Sequence, residues 1–166
     1  MDVINSSNNM KQLLKTLQKD FPKIHFEAGE TFSWSSRKQT VNFPTTIADA
    51  QTAVWSLLHE MGHALLSHTT YQSDFELVKL EAAAWDKAAQ LGQKYGHQID
   101  ADHIQDCLDT YRDWLHQRST CPKCLITSLQ RDMHTYCCYN CNTQWRVSRT
   151  KLCRPYRLLQ KETALS

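Results

Sequence analysis

The sequence predicts an α+β protein, a helical body with a small antiparallel sheet followed by a small cysteine-rich module. Three observations predict it. Apolar residues recur at helical spacing over several separate stretches, and aromatic and β-branched residues alternate within residues 24–43. Five of the seven cysteines fall between Cys121 and Cys141.

Residues 9–20 read as a short amphipathic helix, stopped at Phe21-Pro22 because proline removes a donor and clashes with the preceding turn. Next come Ile24/Phe26, Phe32/Trp34 and Val41/Phe43, alternating pairs separated by turn signals at Ala28-Gly29 and Ser35-Ser36. Such alternation predicts short strands in an antiparallel sheet. Thr46 with Asp49 three residues on resembles a capping box, and Ile47, Val54, Leu58, Met61 and Leu65 then form a helical stripe. Ser73 and Glu76 make an S-x-x-E box that opens another helix, running to about Tyr95 before Gly96. A further helix starts near Asp100, with the stripe Ile104, Cys107, Leu108, Tyr111, Trp114 and Leu115. That pattern makes Cys107 a core residue and not a ligand.

The chain has 166 residues, 41% of them hydrophobic and 22% charged, which is ordinary for a globular protein. It can bury one core of roughly 100 residues and carry a small appendage. No apolar run is long enough for a transmembrane helix. Met1–Asp20 lacks the basic-then-apolar pattern of a signal peptide. The expectation is a cytoplasmic protein whose cysteines serve as metal ligands or free thiols, not disulfides. Residues 1–118 hold 11 Lys and Arg against 15 Asp and Glu, whereas residues 119–166 hold 8 against 2. Two units follow from this shift: a body over 1–117 and a basic module over 118–166.

His59-Glu60-Met61-Gly62-His63 lies inside the predicted third element. Residues i and i+4 share one helix face, so both imidazoles can reach one ion. Glu60 adjoins the first histidine and is placed to act as base on a metal-bound water. Gly62 leaves room near the metal. A catalytic zinc wants three protein ligands and one open position. The candidates for the third are His68, Asp74, Glu76 and Glu81. Helical extrapolation puts His68 on the far side of the same helix, Asp74 is in the first turn of the next helix, and Glu76 is a capping residue. Glu81 lies mid-helix, where an antiparallel return would bring it beside the metal. Tyr71, His68, Tyr95 and His97 are candidates for stabilising an oxyanion.

The stretches LLHEMGHALLSH and LEAAAWDKA resemble the ImmA/IrrE-type metallopeptidases, over about residues 20–95. The resemblance implies a minimal gluzincin, a zincin-like domain with a small sheet, an active-site helix and a glutamate-bearing helix. It assigns the catalytic zinc to His59, His63 and Glu81, and the catalytic base to Glu60. Two positions depart from the family pattern: its middle glutamate is Ala83 here, and its Asp or Asn is Trp85, which cannot give the same hydrogen bond to a ligand histidine. A SprT-like protease acting on DNA-bound proteins also joins HExxH to a zinc ribbon, but its third histidine has no counterpart between His68 and His97.

Cys121, Cys124, Cys138 and Cys141 have the spacing C-x2-C-x13-C-x2-C. Two such turns make a closed four-cysteine site, expected to hold a structural zinc. Only Cys138, and not Cys137, gives the two-residue spacing, and Cys153 has no assigned role. The segment resembles a zinc ribbon, in which the metal supplies much of the folding energy. The tail interleaves Arg146, Arg149, Lys151, Arg154, Arg157 and Lys161 with Trp145 and Tyr156, a composition suited to nucleic acid or to an acidic protein.

The expectation is a cytoplasmic two-zinc metallopeptidase that hydrolyses peptide bonds in a regulatory or stress-response protein and does not engage a membrane. The alternative is a zinc-stabilised regulator of nucleic acid or protein with a degenerate HExxH site.

Overall fold

The computed structural model describes residues 3–160, so Lys161 of the basic tail lies outside it. The described chain is a mixed α+β protein with two small sheets. In order it runs α1 (Val3–Asp20), β1 (His25–Gly29), β2 (Ser33–Ser35), β3 (Thr40–Pro44), α2 (Ala50–Leu65), α3 (Asp74–Tyr95) and α4 (Ala101–Ser119). The strands β4 (Leu129–Asp132), β5 (Thr135–Cys137), β6 (Gln144–Val147) and β7 (Arg157–Leu159) follow. No described helix is long and apolar enough to cross a membrane.

The chain divides into two compact units at Thr70/Tyr71, Lys79/Leu80 and Ile104/Gln105. The first holds α1, the first sheet, α2 and most of α3. The second holds residues 71–79, most of α4 and the cysteine-rich sheet.

In the first unit, α1 begins at Val3, six residues before the expected start. After Val3 and Ile4 that stretch is all Asn and Ser, Asn5 to Asn8, and it lacks an apolar stripe for periodicity to detect. The first sheet has the order β1-β3-β2. It is not the purely antiparallel sheet expected: β2 pairs antiparallel with β3, but β1 pairs parallel with it, His25 opposite Thr40 and Gly29 opposite Pro44. Alternation reports which face a side chain takes and is silent on strand direction. The β2–β3 turn closes through Gln39, whose φ of 52° is left-handed.

Asp49, and not Thr46, caps α2, accepting a hydrogen bond from the Thr52 backbone at 2.7 Å. Val54, Leu57, Leu58 and Met61 of α2 are buried with Leu13 and Leu17 of α1, Val41 of β3, and Ala84, Trp85, Ala88 and Leu91 of α3. Helix α3 opens on the predicted box: Ser73 Oγ accepts from the Glu76 backbone at 3.1 Å. The Glu76 carboxylate accepts from the Gln72 backbone at 2.6 Å, so the reciprocal bond goes to the residue before the cap. The helix ends in a Schellman motif. Gly96 sits at φ 74°, and the His97 backbone donates back to Gly92 at 2.8 Å.

In the second unit β4-β5-β6-β7 form an antiparallel sheet. Its core is Cys121, Tyr136, Cys138, Trp145 and Val147, with Tyr136 and Trp145 stacked at 5.7 Å. Residues 71–79 belong here because of Asp74. Its buried carboxylate accepts two hydrogen bonds from Arg118, at 2.6 and 3.1 Å, and one from the Tyr136 hydroxyl at 2.7 Å. Arg118 also donates to the carbonyl and hydroxyl of Ser148, and Trp145 Nε1 donates to the Arg118 carbonyl at 2.9 Å. Every charge in this network has a partner, as burial requires. Burial, with Asp74 alongside, pushes the Tyr136 hydroxyl far above its ordinary pKa, so Tyr136 acts only as a donor.

Candidate metal centres

In the first unit α2 supplies His59, Glu60 and His63, and α3 supplies Glu81. Gly62 explains why the two helices meet so closely. A Cβ at that position would stand 2.3 Å from the Ala84 carbonyl oxygen. Its lack of a side chain therefore serves the close approach of α3, one turn beyond Glu81, and not a space beside the metal.

The approach places His59 Nε2 3.2 Å from Glu81 Oε2, His63 Nε2 3.6 Å from Glu81 Oε1, and the two Nε2 atoms 3.1 Å apart. A tetrahedral ion with ligand bonds of about 2.0–2.1 Å holds its ligand atoms roughly 3.3 Å apart, so the three atoms fit one such ion. Glu81 is buried. Burial alone would raise its carboxyl, but hydrogen bonds from His59 and His63 outweigh that and hold it down to about 2. A buried carboxylate kept ionised between two imidazoles is a donor set prepared for a cation.

Glu60 is half-buried on the same helix. Burial raises its carboxyl above the ordinary range, opposed by the neighbouring histidines and by the Trp34 backbone N–H of β2. The two histidines are supported differently. His63 Nδ1 lies 2.9 Å from His68 Nδ1. His59 stacks on Trp85 at 4.2 Å between ring centres, and its buried Nδ1 has no hydrogen-bond partner among the described residues. Trp85 thus covers the imidazole face and offers no acceptor to the outer nitrogen.

His68 overturns the expectation that it lies across the helix. Helix α2 stops at Leu65, and Ser67 turns left-handed at φ 53°. The His68 backbone then donates to the His63 carbonyl at 3.0 Å, and Trp34 Nε1 donates to the His68 carbonyl at 2.9 Å. Burial, then the His63 charge, lowers the His68 imidazole pKa, so the neutral ring can accept from His63. Sequence reasoning missed this role because it continued the helix past a Schellman stop built on serine instead of glycine.

The other candidates lie elsewhere. Asp74 is bound to Arg118, and Glu76 caps α3. The Tyr95 hydroxyl donates to Asp20 at 2.7 Å. His97 lines a cleft with Asn9 and Thr16. Burial, then Asp74, raises the Tyr71 hydroxyl, with Arg118 opposing them.

In the second unit Cys121, Cys124, Cys138 and Cys141 gather so that all four sulfurs lie within 4.8 Å of one another. Cys121–Cys141 is 3.6 Å and Cys124–Cys138 is 3.5 Å between sulfurs. Bonds of about 2.3 Å to a tetrahedral ion put sulfurs roughly 3.8 Å apart, close to these spacings. The residue after each pair, Leu125 and Asn142, is left-handed, at φ 63° and 54°, which turns each loop tightly about its sulfurs. Hydrogen bonding to Ser128, then to backbone, holds the Cys138 thiol down to about 6. Thr143 lowers Cys141. Donors are thus already aimed at two of the sulfurs, Cys138 and Cys141, that a metal needs as thiolates, whereas the Cys124 thiol is pushed up to about 11. Cys137 is half-buried and Cys153 exposed, both outside the group. Cys107 is half-buried.

Of the basic residues, Arg146, Arg149 and Arg154 are exposed. Arg157 donates to the Thr120 carbonyl at 2.7 Å. Trp145, at 0% exposure, is closed to any ligand.

No protein family, curated protein or solved structure matches this chain.

Proposed function

We propose that this chain is a zinc-dependent metallopeptidase of the HExxH type, with an ImmA/IrrE-like, zincin-like first unit and a structural zinc in a ribbon-like second unit. One observation carries the reading. A buried, ionised Glu81 lies against the Nε2 atoms of His59 and His63, at 3.2 and 3.6 Å, with Glu60 next to His59 on the same helix.

His59, His63 and Glu81 would hold the catalytic ion, leaving a position open. Zinc bound there would supply Lewis-acid polarisation of a scissile carbonyl and lower the pKa of a water to about 7. Glu60 accepts the proton of the attacking water and returns it to the leaving amine. Its raised carboxyl suits a group that must hold that proton between the two steps. His68 would fix the His63 ring by accepting from Nδ1–H, which leaves Nε2 of His63 to serve as the ligand. The substrate class is a protein, with a regulatory or stress-response partner favoured by the resemblance.

The test is Glu60→Gln. The variant should bind two zincs per chain and lose about 100-fold or more of its cleavage rate on casein or a repressor panel. Equal activity in variant and wild type removes Glu60 from the chemistry.

A second reading is supported by His59 alone. Its Nδ1, unpartnered among the described residues, and the Trp85 stack suit a degenerate site in a zinc-stabilised regulator. One zinc per chain, held by the cysteines, would favour it over the peptidase.

A further inference from the structure

The second unit carries a cleft that neither metal group uses. It has a volume of about 450 Å³ and is lined by Trp114 and Gln117 of α4, Pro122 of the first cysteine loop, and Pro155, Tyr156 and Arg157 leading into β7. Arg118 also borders it, but its charge is committed to Asp74. That ion pair fixes the wall: the Arg118 guanidinium lies 4.3 Å over the Trp114 ring, and Trp114 is only 5% exposed. Tyr156 is 42% exposed. Arg157 uses one Nη1 bond on Thr120 and has further donors on its guanidinium.

The lining therefore holds two aromatic rings and two prolines, one arginine not committed to an ion pair, Arg157, and no acidic residue. Asp132 is the only acidic residue between 119 and 160, and that stretch also exposes Arg146, Arg149 and Arg154. A volume of this size suits a small planar group. An acidic peptide would satisfy the positive charge but gives the stacking walls nothing to hold. A nucleobase satisfies both, with its face on Tyr156 and its phosphate on Arg157.

We propose that this cleft seats one nucleotide of a single-stranded nucleic acid, with the exposed arginines contacting phosphates on either side. The cleft also relocates the expected stacking surface, since Trp145 is sealed in the core and Tyr156 takes its place.

The test uses the full zinc-loaded chain and a labelled oligothymidylate of about 12 nucleotides, within the usual single-strand site sizes. Fluorescence anisotropy is followed across a salt series. Saturable binding at about 50 mM salt, weakening as salt rises, is expected. Tyr156→Ala should weaken it about tenfold, and Tyr156→Phe should bind like wild type. Arg157→Gln should weaken it and reduce the salt slope by about one. Wild-type melting of each variant excludes a folding defect. The proposal is overturned by absence of binding at low salt, by Tyr156→Ala and Arg157→Gln both binding like wild type, or by a polyglutamate peptide displacing the oligonucleotide and itself losing affinity in Tyr156→Ala.

Discussion

The two metal-capable groups differ in what surrounds their donor atoms. The four sulfurs belong to the core of the second unit: Cys121 and Cys138 are buried beside Tyr136, Trp145 and Val147, and the left-handed Leu125 and Asn142 bend the chain around them. The histidine–glutamate group belongs to two helices that already meet at Gly62 and Ala84 and that bury Leu57, Leu58, Ala84 and Ala88. In the first case the metal would organise the fold, and in the second the fold organises the metal site. Four sulfurs complete a tetrahedron, while two imidazoles and a carboxylate leave a position open. On the proposed reading the difference separates a site for stability from one for chemistry, and it makes unequal predictions for losing a ligand.

The largest effect is expected at the cysteines. Cys138→Ser should abolish one metal equivalent and unfold the cysteine-rich sheet, because a ribbon-sized unit depends on metal for folding energy. His63→Ala should also abolish one equivalent, yet leave the circular dichroism and the unfolding transition nearly unchanged. Metal analysis with thermal melts of both variants checks the contrast. Equal loss of structure in the two would erase the distinction.

Next in size is the network at Asp74. Arg118→Met leaves a buried carboxylate with the Tyr136 hydroxyl but no counter-charge. Removing one partner of a buried ion pair costs about 3–5 kcal/mol, read as a lower urea midpoint. Asp74→Leu combined with Arg118→Met should lose less than the sum of the single changes. Additive losses would show that the ion pair is not what holds this end of α3 in the second unit.

How far the sequence foretold these features depends on the range of the interaction. Helices α2 and α3 were legible because stripes such as Val54, Leu58 and Met61 and the Ser73/Glu76 box act within a few residues. His59, His63 and the two cysteine pairs were legible for the same reason, through i,i+4 and C-x2-C spacings, whereas Glu81 lies a helix away and was assigned through the resemblance. The Asp74–Arg118 pair spans 44 residues and the Asp74–Tyr136 bond 62, and no local pattern encodes either. The parallel pairing of β1 with β3 was hidden because alternation carries no direction. Trp145 looked like a surface aromatic among basic residues, but strand β6 turns it inward between exposed Arg146 and half-buried Gln144.

The third effect sharpens the asymmetry within the open site. His68→Ala should weaken metal binding at His59, His63 and Glu81 by about 10- to 100-fold, the usual effect of removing a partner of a ligand histidine. His68→Gln, which keeps an acceptor, should recover part of it. Competition with a chromophoric chelator measures both, with the cysteine site saturated. Trp85→Phe keeps a stacked ring and supplies no acceptor, so it should change affinity much less. An unchanged affinity in His68→Ala would leave His63 as unsupported as His59.

The smallest effect concerns the turn that creates this asymmetry. Ser67 occupies the left-handed position after α2, where the Ser67 and His68 backbones donate to Ala64 and His63 at 3.1 and 3.0 Å. A side chain in that conformation costs on the order of 1 kcal/mol relative to glycine. Ser67→Gly should therefore raise the melting temperature by about 2–4 °C and leave metal affinity intact, because the two backbone bonds and the His68 contact are retained. Ser67→Val carries a β-branched side chain into the same φ and should lower both. If Ser67→Gly stabilises but weakens metal binding, the turn holds His68 against His63 only under strain, and the strain itself belongs to the site.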